Sequence, residues 1–218
     1  MREVATKRFD TVVVAAAASL VLATCQSTER LRAWDEEAGR VASLARLLPN
    51  ATVADVGAGD GDLAMSLAAR LGPSAQVYAT EIDPTLLERI QSAATERRLG
   101  NLIVVEGAED DARLPAECCD VIVLRTVYRY LTQPKAVGAS LARALKPGGR
   151  LIVIEFPPIP EIDTEQRKAG GREVHGVTAA TIVSELNEAS LEFVRIVPEW
   201  NNDGFYAVLM RRSTRQSR

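Results

Sequence analysis

The chain has 218 residues, 47% hydrophobic and 25% charged, with a formal net charge of -3. That supplies one sizeable core and not a second, so a single enzyme-sized domain is expected. The slight acidity excludes the basic face that nucleic-acid binding needs, and the one cluster of that sign, Arg211, Arg212, Arg215 and Arg218, reads as a solvated terminus.

In chain order, Arg2, Lys7 and Arg8 precede TVVVAAAASLVLATC. This run is too short to span a membrane comfortably and has the proportions of a signal peptide. LATC, ending at Cys25, is similar to a lipoprotein lipobox, with Thr24 where a smaller residue is usual. Residues 1–29 are therefore expected to export the chain or attach it to a membrane; the alternative is an apolar helix packed on the domain. Gln26 to Arg30 reads as a linker, 30–211 as the domain and 212–218 as a flexible basic tail.

A helix is predicted from Leu31 to Leu48 and a strand from Thr52 to Val56, which opens VADVGAGDGDL. Asp55 ends that strand, and Gly57, Gly59 and Gly61 follow at every second position, where a missing Cβ permits positive φ and close approach of a ligand. Backbone amides are expected to line the pocket so formed. The dinucleotide fingerprint spaces its third glycine differently and seats a pyrophosphate on the helix N-terminus. Here Asp60 and Asp62 occupy that place. They favour the helix dipole and repel a dianion, so a positive or zwitterionic ligand such as a sulfonium cofactor fits better.

A helix from Leu63 to Leu71 and the strand QVYATEID come next, the strand ending in Glu81 where a carboxylate can accept hydrogen bonds from ribose hydroxyls. Asp83 is the other candidate, although with Pro84 it reads as the N-cap and first residue of a helix running to Leu99. Strand and helix then alternate to Phe156, through LIVVEGAEDDARLP and CCDVIVLRTVYRYL. In LARALKPGGRLIVIEF, Pro147 is expected to end a helix, Gly148 and Gly149 to form its left-handed cap, and Leu151 to Phe156 to be strand five. Cys118 and Cys119 read as core thiols on opposite faces of a strand. A helix from Val177 to Ala189 and a hairpin of strands 191–197 and 204–211 complete the chain. Alternating strands and helices imply a doubly wound α/β sheet, with the site at the strand carboxyl ends.

These motifs together resemble the class I S-adenosylmethionine-dependent methyltransferases over residues 30–211. The resemblance implies a Rossmann-like seven-stranded sheet of order 3-2-1-4-5-7-6 with an antiparallel last strand, S-adenosyl-L-methionine as cofactor, and in-line methyl transfer to a small molecule. It assigns Asp55, Gly57, Ala58, Gly59 and Gly61 to the methionine part, Glu81 to the ribose, and Ile82 with the turn from Gly107 to Asp110 to adenine. Ala108 stands where many members carry an acid, leaving Glu109 or Asp110 to reach the adenine amino group. Arg125 is counted with the cofactor residues, at the point where the acceptor side begins.

On that side Tyr128 is the first catalytic candidate, to orient a nucleophile or shield the sulfonium; packing on the next helix is the alternative. VYRY is similar to a Tyr-His-His string of relatives, with Arg129 and Tyr130 replacing the histidines. His175 is the second candidate, as a proton acceptor, against an exposed loop residue. Glu155 reads as near the pocket or as a solvated strand end, and Trp34 and Trp200 as caps on an apolar acceptor or as packing. LRTVYRY lacks the Asn/Asp-Pro-Pro-Tyr string of base-modifying enzymes, and Arg125 at the fourth-strand exit would repel a metal ion. No metal site is expected. An NAD-type oxidoreductase and a cofactor-binding module without transferase activity remain as alternatives.

Overall fold

The computed structural model describes residues 28–158, 176–201 and 203–214. Helix α1 covers residues 28–45, followed by β1 Thr52–Val56, α2 Asp62–Leu71, β2 Gln76–Glu81, α3 Pro84–Glu96, β3 Leu102–Glu106 and β4 Cys119–Arg125. A 3-10 turn Tyr128–Tyr130 leads to α4 Pro134–Ala144, β5 Leu145–Glu155, α5 Ala179–Asn187, β6 Leu191–Val197 and β7 Tyr206–Arg212. The sheet order is β3-β2-β1-β4-β5-β7-β6, with β7 antiparallel to both neighbours. This is the order, with an antiparallel last strand, that the resemblance implies.

Alternation along the central strands sorts the core into two layers. Val121 and Val123 of β4 and Ile152 and Ile154 of β5 pack with α1, α2 and α3 through Val41, Leu67 and Ile90. Ile122, Leu124, Leu151 and Val153 face Leu141 of α4 and Ile182 and Leu186 of α5. Each such fully buried side chain contributes roughly 1.5–3 kcal/mol of transfer free energy. Helix α3 starts as expected, Asp83 accepting from the Thr85 and Leu86 amides with Pro84 at the first position. It stops before Leu99 because Arg98 turns left-handed, with φ 57°.

Several local expectations are corrected. The helix before L-K-P-G-G ends at Ala144, and that string already belongs to β5: Leu145 pairs with Cys119, Arg150 with Val121, and the residues between bulge out. Gly148 has positive φ. Gly149 does not, and is required by space: an added Cβ would lie 2.8 Å from the Lys146 carbonyl oxygen and 3.1 Å from that of Cys119. Cys118 stands in the turn before β4, so strand alternation does not separate the two cysteines, which are joined as a vicinal disulfide. Residues 28–30 are helical instead of a linker. Arg212 lies in β7 and pairs with Glu117, and Arg211 pairs with Glu192, so neither belongs to a flexible tail. The leader up to residue 27 and His175 lie outside the described residues.

Candidate functional site

A cavity of about 590 Å³ opens at the carboxyl ends of β1, β2 and β4. Asp55, Gly57, Ala58, Gly59, Glu81, Ile82, Ala108, Glu109 and Arg125 all line it. Gly61 and Asp110 do not. Gly61 is structural: its φ is 78°, and an added Cβ would sit 2.9 Å from Ile90 of α3.

The glycine loop works differently from the expectation that its amides line the pocket. Gly57 and Ala58 both donate to the Thr80 carbonyl at 2.9 Å, and Gly59 donates to Glu81 Oε2 at 2.9 Å. These amides tie the loop to β2. What faces the cavity is the missing side chain of Gly59, at φ 56° with nothing within 4 Å of an added Cβ. Glu81 also accepts from Ile82 N at 2.7 Å and Asp83 N at 3.2 Å, so its carboxylate knots the loop, β2 and the start of α3.

Asp55 is buried at the end of β1, and burial pushes its carboxyl up to about 7, with the negative charge of Glu81 adding to the rise and the Ala64 amide and Arg125 opposing it. An acid whose native pKa is raised destabilises the fold as pH rises. Between the ordinary value of 3.8 and about 7 the unfolded chain has released a proton that the native chain keeps, so stability falls by about 1.4 kcal/mol per pH unit there. Thermal melts of the ligand-free chain between about pH 5 and about pH 8 should show this loss, and Asp55→Asn should remove it. Equal pH dependence in the two proteins would refute the assignment.

The sequence reading named Trp34 as a possible cap but missed the rest of what α1 contributes. Arg30 reaches across to the glycine loop, its Nη2 2.5 Å from Asp62 and 3.6 Å from Asp60, and lines the cavity beside Trp34. Buried Glu37 accepts at 2.8 Å from both Arg125 Nε and Trp200 Nε1. The Arg125 guanidinium lies 4.6 Å from the Trp34 ring centroid and 5.2 Å from that of Phe205. Trp34 therefore borders the cavity, whereas Trp200 is a buried partner of Glu37.

Tyr128 is corrected from catalytic candidate to packing residue. It is fully buried away from the cavity, and its hydroxyl donates to Glu185 of α5 at 2.9 Å. The tyrosine that lines the cavity is Tyr130, two residues on in the same 3-10 turn. Glu155 is fully buried and paired with Arg129 at 2.8 Å, which overturns the reading of it as a solvated strand end. Among the described residues, no cluster of three or more His, Cys, Asp and Glu side chains is arranged to hold a metal ion.

A methyltransferase domain model matches residues 54–153, from β1 into β5. The ubiquinone/menaquinone biosynthesis C-methyltransferase UbiE of Bordetella parapertussis is 34% identical over 114 residues, covering 51% of this chain and 43% of the relative. The chain spans about half the length of the curated relatives it matches. Among solved structures, a SAM-dependent methyltransferase from Aquifex aeolicus superposes with a TM-score of 0.69 at 21% identity, covering 80% of this chain and 88% of the other. The [4+2]-cyclase SpnF superposes with a TM-score of 0.67 at 16% identity, covering 82% and 80%, so the fold alone does not fix the chemistry. The chain thus carries a methyltransferase-domain match over residues 54–153, under half of its length, within a sheet of order β3-β2-β1-β4-β5-β7-β6.

Proposed function

We propose that this chain binds S-adenosyl-L-methionine in the cavity behind β1 and catalyses methyl transfer to a small organic acceptor. The observation that carries the reading is Gly59, whose absent Cβ leaves a cradle on the cavity wall that any side chain would fill. The charge of the wall supports it: Asp60, Asp62 and Glu81 suit a ligand with sulfonium and ammonium groups, and Arg30 suits its carboxylate. The cofactor supplies a methyl group on a sulfonium, already an excellent leaving group.

The protein's part is then to position, shield and exclude water. Under this reading the loop Gly57 to Gly61 and Asp55 hold the methionine part, and Ile82 and the turn carrying Ala108 and Glu109 hold adenine, with Glu109 the nearer acid. Glu81 takes the ribose. It already accepts from three amides of the roughly four positions a carboxylate offers. A diol bonding through both hydroxyls therefore displaces one amide, and that of Gly59, on the cavity side, is free to turn to the ligand. Trp34 closes the acceptor side. The name of the UbiE relatives supports a small-molecule acceptor, and Arg125 at the exit of β4 supports transfer without a metal. The leader would attach the chain to a membrane, a reading that cell fractionation of native and Cys25→Ala chains tests.

Calorimetric titration of the full chain with S-adenosylmethionine, S-adenosylhomocysteine and NAD tests the cofactor. Micromolar binding of the first two and none of NAD is expected, weakened about a hundredfold by Glu81→Ala. Binding of NAD alone would turn the reading toward a dehydrogenase.

A further inference from the structure

The general reading leaves unused a cluster formed by Arg129, Tyr130, Glu155 and Phe156, of which Tyr130 lines the cavity. The Arg129 guanidinium lies 4.4 Å from the ring centroids of both Tyr130 and Phe156. Its Nη1 donates to Glu155 Oε1 at 2.8 Å, its backbone amide to Oε2 at 3.3 Å, and its Nη2 to the Tyr130 hydroxyl oxygen at 2.9 Å. Among the described residues its Nε is the one buried side-chain polar atom without a partner. Rings and carboxylate hold this side chain, not a full set of donors. Arginine has no acceptor. The Tyr130 oxygen is therefore the acceptor in that bond, and its own hydrogen is left to be donated elsewhere. Tyr130 is 56% exposed and lines the cavity with Arg125. The only hydrogen bond of the Arg125 guanidinium among the described residues is made by Nε, so its two terminal nitrogens remain available to a ligand.

We propose, resting on the cofactor reading above, that Tyr130 is a catalytic residue donating its hydroxyl hydrogen to an oxygen of the methyl acceptor, that Arg129 is the positioning residue keeping it a donor, and that the acceptor binds as a phenolate or enolate whose charge meets Arg125. Donors converging on one oxygen stabilise its anion. The acceptor's electron pair, on that oxygen or on the carbon conjugated with it, forms the bond to the methyl carbon while the carbon–sulfur pair returns to sulfur. An oxygen nucleophile entering as the anion has no proton to lose. Attack through carbon leaves one C–H proton, released to solvent afterwards.

The test uses the full chain saturated with S-adenosylhomocysteine and two probes of one shape, 4-nitrophenol, whose anion absorbs in the visible, and its methyl ether 4-nitroanisole. The native chain should bind the phenol as its anion, with the visible band appearing at a pH where the free probe is largely protonated, and about tenfold more tightly than the ether. Tyr130→Phe should remove most of this preference. Arg129→Lys keeps a cation opposite Glu155 but loses the bond to the tyrosine oxygen; it should have the same effect, and the double variant no more than either single one. Equal binding of the two probes, a bound phenol that stays protonated, or an unchanged preference in Tyr130→Phe would overturn the proposal. Calorimetry on the same samples separates the two levels: if S-adenosylhomocysteine binds and the phenolate does not, only this inference falls, and if the native chain binds no S-adenosylhomocysteine, the cofactor reading falls with it.

Discussion

Gly59→Val should give a folded protein that no longer binds S-adenosylhomocysteine. The position has φ 56° and nothing within 4 Å of an added Cβ, so the folding cost is the left-handed conformation alone, about 1–2 kcal/mol. That lowers the melting temperature by a few degrees in a domain of this size. The branched side chain, however, fills the cradle on the cavity wall, and binding should fall more than a hundredfold. Gly57→Ala is the contrasting variant. Its Cβ would meet both Val127 methyl carbons, at 2.6 and 2.7 Å, on top of a φ of 71°. Loop and β4 exit must then part, so the loss should appear first in stability. Circular dichroism melts and calorimetry on both variants check this. Normal ligand binding by a folded Gly59→Val would show that nothing approaches the loop there.

The fold was legible because its signals are local. Asp83-Pro84 marks a helix start through a side chain that caps its own neighbouring amides, and β2 and β4 are short, mostly apolar runs ending at Glu81 and Arg125. Errors came where a partner strand decides. L-K-P-G-G has helix-stop chemistry, yet pairing of Leu145 with Cys119 draws it into the sheet, and proline is tolerated there because the segment bulges. Arg211 and Arg212 look like a tail in sequence, but β5 and Glu117 hold them in register.

The cofactor side of the site was legible for the same reason: Asp55, the glycine loop and Glu81 belong to one strand-helix-strand unit, and Glu81 and the Gly59 amide meet across it. The acceptor side was not. Tyr128 and Tyr130 sit two apart in a 3-10 turn, and nothing local says which one turns into the core toward Glu185. Contacts of α1 with the cavity join residues 88 and 163 positions apart, as in Glu37 with Arg125 and with Trp200. Only the assembled sheet brings them together.

Glu155→Ala should produce the largest loss of stability of any single change at the site. Glu155 is fully buried, with a relative accessibility of 0%. It accepts from the Arg129 guanidinium at 2.8 Å, the Arg129 amide at 3.3 Å and the Phe156 amide at 3.2 Å. Removing it strands a cation between two rings and leaves two amides unpaired, which costs about 3–5 kcal/mol. That is a large share of the roughly 5–15 kcal/mol that holds a domain together. Urea unfolding should show the midpoint falling with an unchanged slope. Replacing both partners by apolar residues, Glu155→Leu with Arg129→Met, should recover much of the loss, because the cost lies in the widowed charge and not in the pair. A double variant as unstable as Glu155→Ala would instead mean that the amide contacts to the carboxylate carry the stability. In that case the turn bearing Tyr130 is held by Glu155 directly, and Arg129 serves the tyrosine alone.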